Sequence, residues 1–113
     1  MYVTKEPKDY SFDKVGIKGK IFPMGSLTQN TSFVRVDTER GHETTIIEHE
    51  SDFIYYVLEG NGFFVIDDVK EQCSQGDLVV IPAGTKFTYK GKLKLLLSCT
   101  PPWRLEQEVT LNQ

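Results

Sequence analysis

The chain has 113 residues and a mass of 12.9 kDa, room for one domain and no separate regulatory one. Hydrophobic residues make up 39% and charged residues 26%, the balance of a packed globule and not of a disordered tail. The net charge of −3, without any basic run, argues against nucleic-acid binding, and no apolar run approaches the roughly 18–20 residues of a membrane span. The opening stretch has no apolar signal region, so a cytoplasmic protein with no membrane contact is expected. Residues 1–18 are polar with scattered aromatics (Tyr2, Tyr10, Phe12) and read as an N-terminal arm packing on the outside of the domain formed by the rest of the chain. From residue 19 onward Val, Ile, Thr, Phe and Tyr gather in short runs, and nowhere do they keep three turns of helical period.

Strands are predicted near 19–22, 33–37, 43–48, 53–59, 62–68, 69–73, 77–81, 86–89 and 92–98. In the second of these, the parity of Val34 and Val36 sends Arg35 outward. Glu59-Gly60-Asn61-Gly62 reads as a tight hairpin, because Gly and Asn tolerate positive φ. Asp67-Asp68 reads as a second hairpin tip. Gln75-Gly76-Asp77 and Pro82-Ala83-Gly84-Thr85 read as turns around the apolar strand Leu78-Val79-Val80-Ile81. In the last strand Leu93, Leu95 and Leu97 share one face, while Leu96 adds an apolar residue to the other. Pro101-Pro102 ends that strand, and Trp103 is expected over a barrel edge or a subunit contact. Residues 19–105 are thus expected to form one antiparallel β-sandwich or barrel domain, and 106–113 a C-terminal tail expected to fray. Cys73 and Cys99 are too few for a disulfide framework and read as reduced, partly buried thiols.

Two stretches resemble the cupin family. In the first, Gly41 is followed after five residues by Ile47, then His49, Phe53 and, six residues further on, Gly60. In the second, Gly76 leads to Pro82, Gly84, Phe87 and Gly91 at the family's intervals. The frame covers residues 41–91. The resemblance implies an all-β fold: a single-domain cupin double-stranded β-helix, or jelly-roll barrel, with a homodimer as the expected assembly.

Metal-binding cupins hold a divalent ion with three His and one Glu pointing into the barrel. Carried over, those positions are Ile47, His49, Phe53 and Phe87. Isoleucine and phenylalanine have no lone pair to give, so the resemblance implies a degenerate metal site, with no metal and no cofactor. Donors at Glu43, Glu48, His42 or Asp52 are the alternative; Glu48 and Glu50 flank His49 and by parity face away from it.

If the strands alternate, Ile47, His49, Phe53, Tyr55, Val57, Phe87 and Tyr89 face inward and form the candidate pocket. The same composition also suits a filled core. His49 is the candidate base, with Tyr55 or Tyr89 as acid or hydrogen-bond donor; some metal-free epimerases and ketoisomerases of the family use His this way. His42 reads as an exposed loop residue and Asp52 as a solvated turn residue. The expected function is a metal-free cupin that binds a small, largely apolar or aromatic ligand, as a sensor or accessory protein. The alternatives are a metal-independent isomerase, epimerase or cyclase-like enzyme using His49, and a metal-dependent oxygenase or isomerase with non-standard ligands.

Overall fold

The computed structural model describes residues 2–103 and 108–111. Among them are nine strands and no helix, so no helix is long and apolar enough to cross a membrane. The strands are β1 (Phe12–Lys14), β2 (Ile17–Ile21), β3 (Ser32–Thr38), β4 (Thr45–Glu48), β5 (Asp52–Ile66), β6 (Val69–Ser74), β7 (Leu78–Ile81), β8 (Phe87–Thr100) and β9 (Glu108–Leu111).

β5 and β8 are the spine, antiparallel from Asp52 opposite Thr100 to Ile66 opposite Phe87. Two layers share it. The first half of β5 carries β7, and the second half of β8 carries β3, then β2 and β1. The second half of β5 carries β6, and the first half of β8 meets β4, which pairs with β9. The result is a curled sheet, a jelly-roll barrel, with its core between the layers. Val36, Val57, Phe64, Leu93 and Leu95 are each at most 1% exposed there. At about 25 cal/mol per Å² of apolar area removed from water, such side chains stabilise the fold most.

One expected hairpin is absent. Glu59-Gly60-Asn61-Gly62 lies inside β5, because both halves of that strand pair with the same partner. The glycines serve a bend and not a reversal: a register shift falls between Val57 and Glu59, and Gly60 has φ +103°. A side chain at Gly60 would strike the Lys92 carbonyl, so only glycine lets the backbones approach there. For the same reason the strands predicted at 86–89 and 92–98 are one strand, β8, which passes through Gly91 at φ +123°. The Asp67-Asp68 tip forms as expected, both residues at positive φ between Ile66 and Val69. Asp77 accepts the Ser74 N–H at 2.8 Å, tightening the turn before β7.

The arm is more structured than expected. β1 and the start of β2 lie within residues 1–18, and Glu6 reaches across to Arg35 at 3.0 Å. Arg35 faces outward as its parity requires, and Leu93, Leu95 and Leu97 face inward. Within the tail, β9 pairs residue for residue with β4; 106–107 and 112–113 lie outside the described residues. Trp103 is half-buried against the core. On the outer face, Leu96 sits opposite Tyr56, which with Leu78 and Val80 is exposed. Both cysteines are buried thiols outside any disulfide; burial, then the Asp77 carboxylate, pushes the Cys73 thiol pKa up, as an inert thiol requires.

Candidate functional site

The barrel interior is not filled. A cavity of about 380 Å³ opens between the layers. Val34 and Val36 of β3, Ile46 of β4, Phe53 of β5, and Leu97 and Cys99 of β8 give it apolar walls. Among its polar side chains are His42, Tyr55 and Tyr89, with Ser11, Lys14 and Ser32 also in the lining. Apolar walls with few polar groups are the composition of a small-molecule site. The His42 and Tyr89 ring centroids are 5.6 Å apart, edge to face, and Tyr55 and Tyr89 are 5.5 Å apart. Phe64 and Phe87 back the tyrosines at 4.9–6.0 Å, so both phenols stand on a packed aromatic layer.

His42 owes its position to the loop between β3 and β4. Gly41, at φ +105°, turns the chain where a side chain would collide with the Tyr89 carbonyl. The His42 N–H then donates to the Tyr89 carbonyl at 2.8 Å, and the Lys90 ammonium donates to the His42 carbonyl at 2.5 Å. Thr88 Oγ1 donates to the Thr44 carbonyl at 2.8 Å. Thus β8 supplies Tyr89 and also holds the histidine beside it. Nδ1 of His42 is 2.9 Å from the Thr44 carbonyl oxygen, its shortest contact. The Thr44 N–H also points at Nδ1, at 3.2 Å; because a carbonyl only accepts, the shorter contact favours the proton on Nδ1, which leaves Nε2 the lone pair. His42 is 6% exposed, and burial lowers its pKa below the usual 6.5; the Thr44 carbonyl opposes this, while Lys90 and Lys14 reinforce it. The imidazole is therefore neutral at pH 7 and able to take a proton.

Of the candidate residues, Tyr55, Tyr89 and Phe53 line the cavity, while Val57 and Phe87 are buried without lining it. His49 is not with them. It is exposed, and Ile47 is half-buried without lining the cavity. Along β4 the inward residues are Ile46 and Glu48, one step out of the expected register. A one-residue slip sends every side chain to the other face, and the Ile46-Ile47 pair left the parity open. Glu48 is 2% exposed, and its Oε1 accepts the Glu50 and Ser51 N–H groups at 2.6 and 2.8 Å. His42, expected on an exposed loop, is the buried histidine. The signal for it was Gly41 at a turn directly before a strand.

The family's metal does not fit these residues. Ile47, Phe53 and Phe87 hold carbon at three of its four ligand positions, and His49 is exposed to solvent. Among the described residues no group of three or more His, Cys, Asp or Glu could hold an ion. Asp52 is exposed and accepts the Ala83 N–H at 2.9 Å.

The Cupin domain family matches residues 34–96. An uncharacterized protein of Methanocaldococcus jannaschii is 34% identical over 77 residues, which span 64% of this chain and 62% of that protein. Among solved structures, Pac13, described as a unique nucleoside dehydratase, is 26% identical with a TM-score of 0.83, covering 96% of this chain and 85% of its own. Two Streptomyces PAC13 variants with a tyrosine replaced by phenylalanine, each with uridine, are 25% identical with TM-scores of 0.87 over 99% of this chain and 93% of theirs. A variant with a histidine replaced by glutamine, also with uridine, is 25% identical with a TM-score of 0.83, over 94% of this chain and 92% of its own.

Proposed function

The chain belongs to the cupin family, and from that footing we propose that it is a metal-independent acid–base enzyme whose site is the His42–Tyr55–Tyr89 cavity. The reaction class is dehydration of a small, ring-bearing molecule of the nucleoside type. The observation that carries this reading is a neutral, buried imidazole 5.6 Å, centroid to centroid, from a tyrosine ring in an apolar cavity. The likeness to a nucleoside dehydratase supports it, as does the pairing of one histidine and two tyrosines among the substituted residues of the uridine complexes.

The chemistry comes from the groups themselves. A neutral imidazole is too weak to deprotonate an unactivated carbon, so the substrate carries a carbonyl next to the carbon that loses its proton. Nε2 of His42 takes that proton. The electron pair forms the new C=C bond as the β C–O bond breaks, and a tyrosine hydroxyl protonates the departing hydroxide, releasing water. The imidazolium then returns its proton to the tyrosinate. The apolar walls keep bulk water away from this exchange.

The test is incubation with a uridine derivative bearing a sugar carbonyl β to a hydroxyl, followed by mass spectrometry for loss of one water. In D₂O, deuterium should appear at the carbon next to the carbonyl, and His42→Gln should abolish both signals. No water loss and no exchange, with the ligand bound, would leave the second reading: a sensor or accessory protein, which the mostly apolar cavity lining favours.

A further inference from the structure

The inner end of the cavity holds the histidine and the tyrosines; its mouth is built differently. There β1 and the segment after β8 bring together Phe12, Lys14 and Trp103, all lining the cavity. The Lys14 ammonium lies 5.9 Å from the Phe12 ring centroid and 5.5 Å from that of Trp103. Among the described residues it has no carboxylate within ion-pairing distance. Nor do the described cavity-lining residues include a single Asp or Glu, in a chain with 16 acidic residues against 13 basic ones. The one cation facing this cavity among the described residues therefore has only ring faces for company, which hold a charge weakly at an exposed site.

The lysine is also held in place relative to the inner end. It sits at the last position of β1, before a two-residue turn formed by Val15 (φ +47°) and Gly16 (φ +84°). A β-branched residue is strained at positive φ and persists there only where its surroundings impose it. Here they do: the Val15 carbonyl accepts the Glu43 N–H and the Gly16 carbonyl accepts Thr38 Oγ1, both at 2.8 Å. The turn that carries Lys14 is thus tied to both sides of the loop that carries His42.

We propose that the ligand of this cavity carries an oxyanion, a carboxylate or phosphate remote from the reacting carbons, which Lys14 binds at the mouth between Phe12 and Trp103. This rests on the reading of the cavity as the binding site and extends it: a ring for the apolar walls, a reacting centre for His42, and a negative charge for Lys14. A charge-assisted contact in a partly enclosed mouth is stronger than its neutral counterpart and specific for ligands that reach it.

Matched probes test this by calorimetry and chemical-shift mapping: uridine against uridine 5′-monophosphate, and phenol against phenyl phosphate. The anionic member of a pair should bind in the cavity about tenfold or more tightly, which is ~1.4 kcal/mol. The preference should shrink as ionic strength rises. Lys14→Met keeps the aliphatic stem and should reduce the anion to the affinity of its neutral partner, and Lys14→Arg should restore the preference. Equal affinities within both pairs, a preference that survives Lys14→Met, or no cavity binding by any probe overturns the proposal. If the uridine pair is inert while phenyl phosphate shows the Lys14-dependent preference, the nucleoside reading falls and the oxyanion site stands. If both uridine compounds bind equally well, the reverse holds.

Discussion

At the residue scale everything turns on which histidine is inside. The sequence offers His42 and His49 with no internal test between them. The family frame favoured His49, and the backbone put its strand one residue out of that frame. What made His42 hard to read is that its burial depends on contacts distant in sequence: Thr88, the Tyr89 carbonyl and the Lys90 ammonium are all 46–48 residues away along the chain. Tyr55 and Tyr89 were legible because simple alternation along β5 and β8 places them. His42→Gln should lower kcat/KM by roughly 10²–10⁴-fold with the fold intact, whereas His49→Gln should leave it unchanged; steady-state kinetics on the two variants decide this. The pH profile is set by the lowered His42 pKa. Activity should fall only when the pH drops below 6.5, as the imidazole becomes protonated. Stability should move in the same direction: the unfolded chain takes up the proton first, so the contribution present above about pH 6.5 is lost as the pH falls below it. Lys90→Met removes a nearby cation and should move the His42 titration upward, as an NMR titration of the imidazole reads without any substrate. An unmoved titration would show that Lys90 does not tune the base.

At the element scale the strands themselves were plain in the sequence, but their joins were not. Glycine permits a reversal and a bend alike, and residues 59–62 satisfy the pattern of either. Only the partner distinguishes them: β8 runs alongside both halves of β5, and this pairing is invisible to local patterning. The register shift after Val57 and the two glycines Gly60 and Gly91 let the spine serve both layers, which is what brings Phe53, Tyr55 and Tyr89 to one cavity. Gly60→Ala would force a side chain into positive φ against the Lys92 carbonyl, so urea denaturation should show a loss of at least ~1–3 kcal/mol. Gly25→Ala, also at positive φ but with open space around it, should cost less. β9 escaped detection because a four-residue segment beyond a proline pair carries too little pattern to announce itself; its pairing with β4 defines it.

At the scale of the whole molecule, the barrel is either a packed core or a container, and composition suits both. Its shape decides: the aromatic layer of Phe64, Phe87, Tyr55 and Tyr89 fills one end, and about 380 Å³ is left at the other. Enlarging a wall residue reads this out. Val36→Phe should abolish ligand binding yet cost less than the ~1–3 kcal/mol of overpacking a filled core. A larger loss of stability would mean that the space is not there to fill. The same geometry fixes where a ligand goes, and one crystal soaked with uridine tests that most directly. The account predicts electron density for the nucleoside in the cavity, against the Tyr55 and Tyr89 side chains, with an atom in hydrogen-bonding reach of His42. Density seated instead on the outer face beside His49, or a metal ion held at the inner end of the barrel, would contradict it.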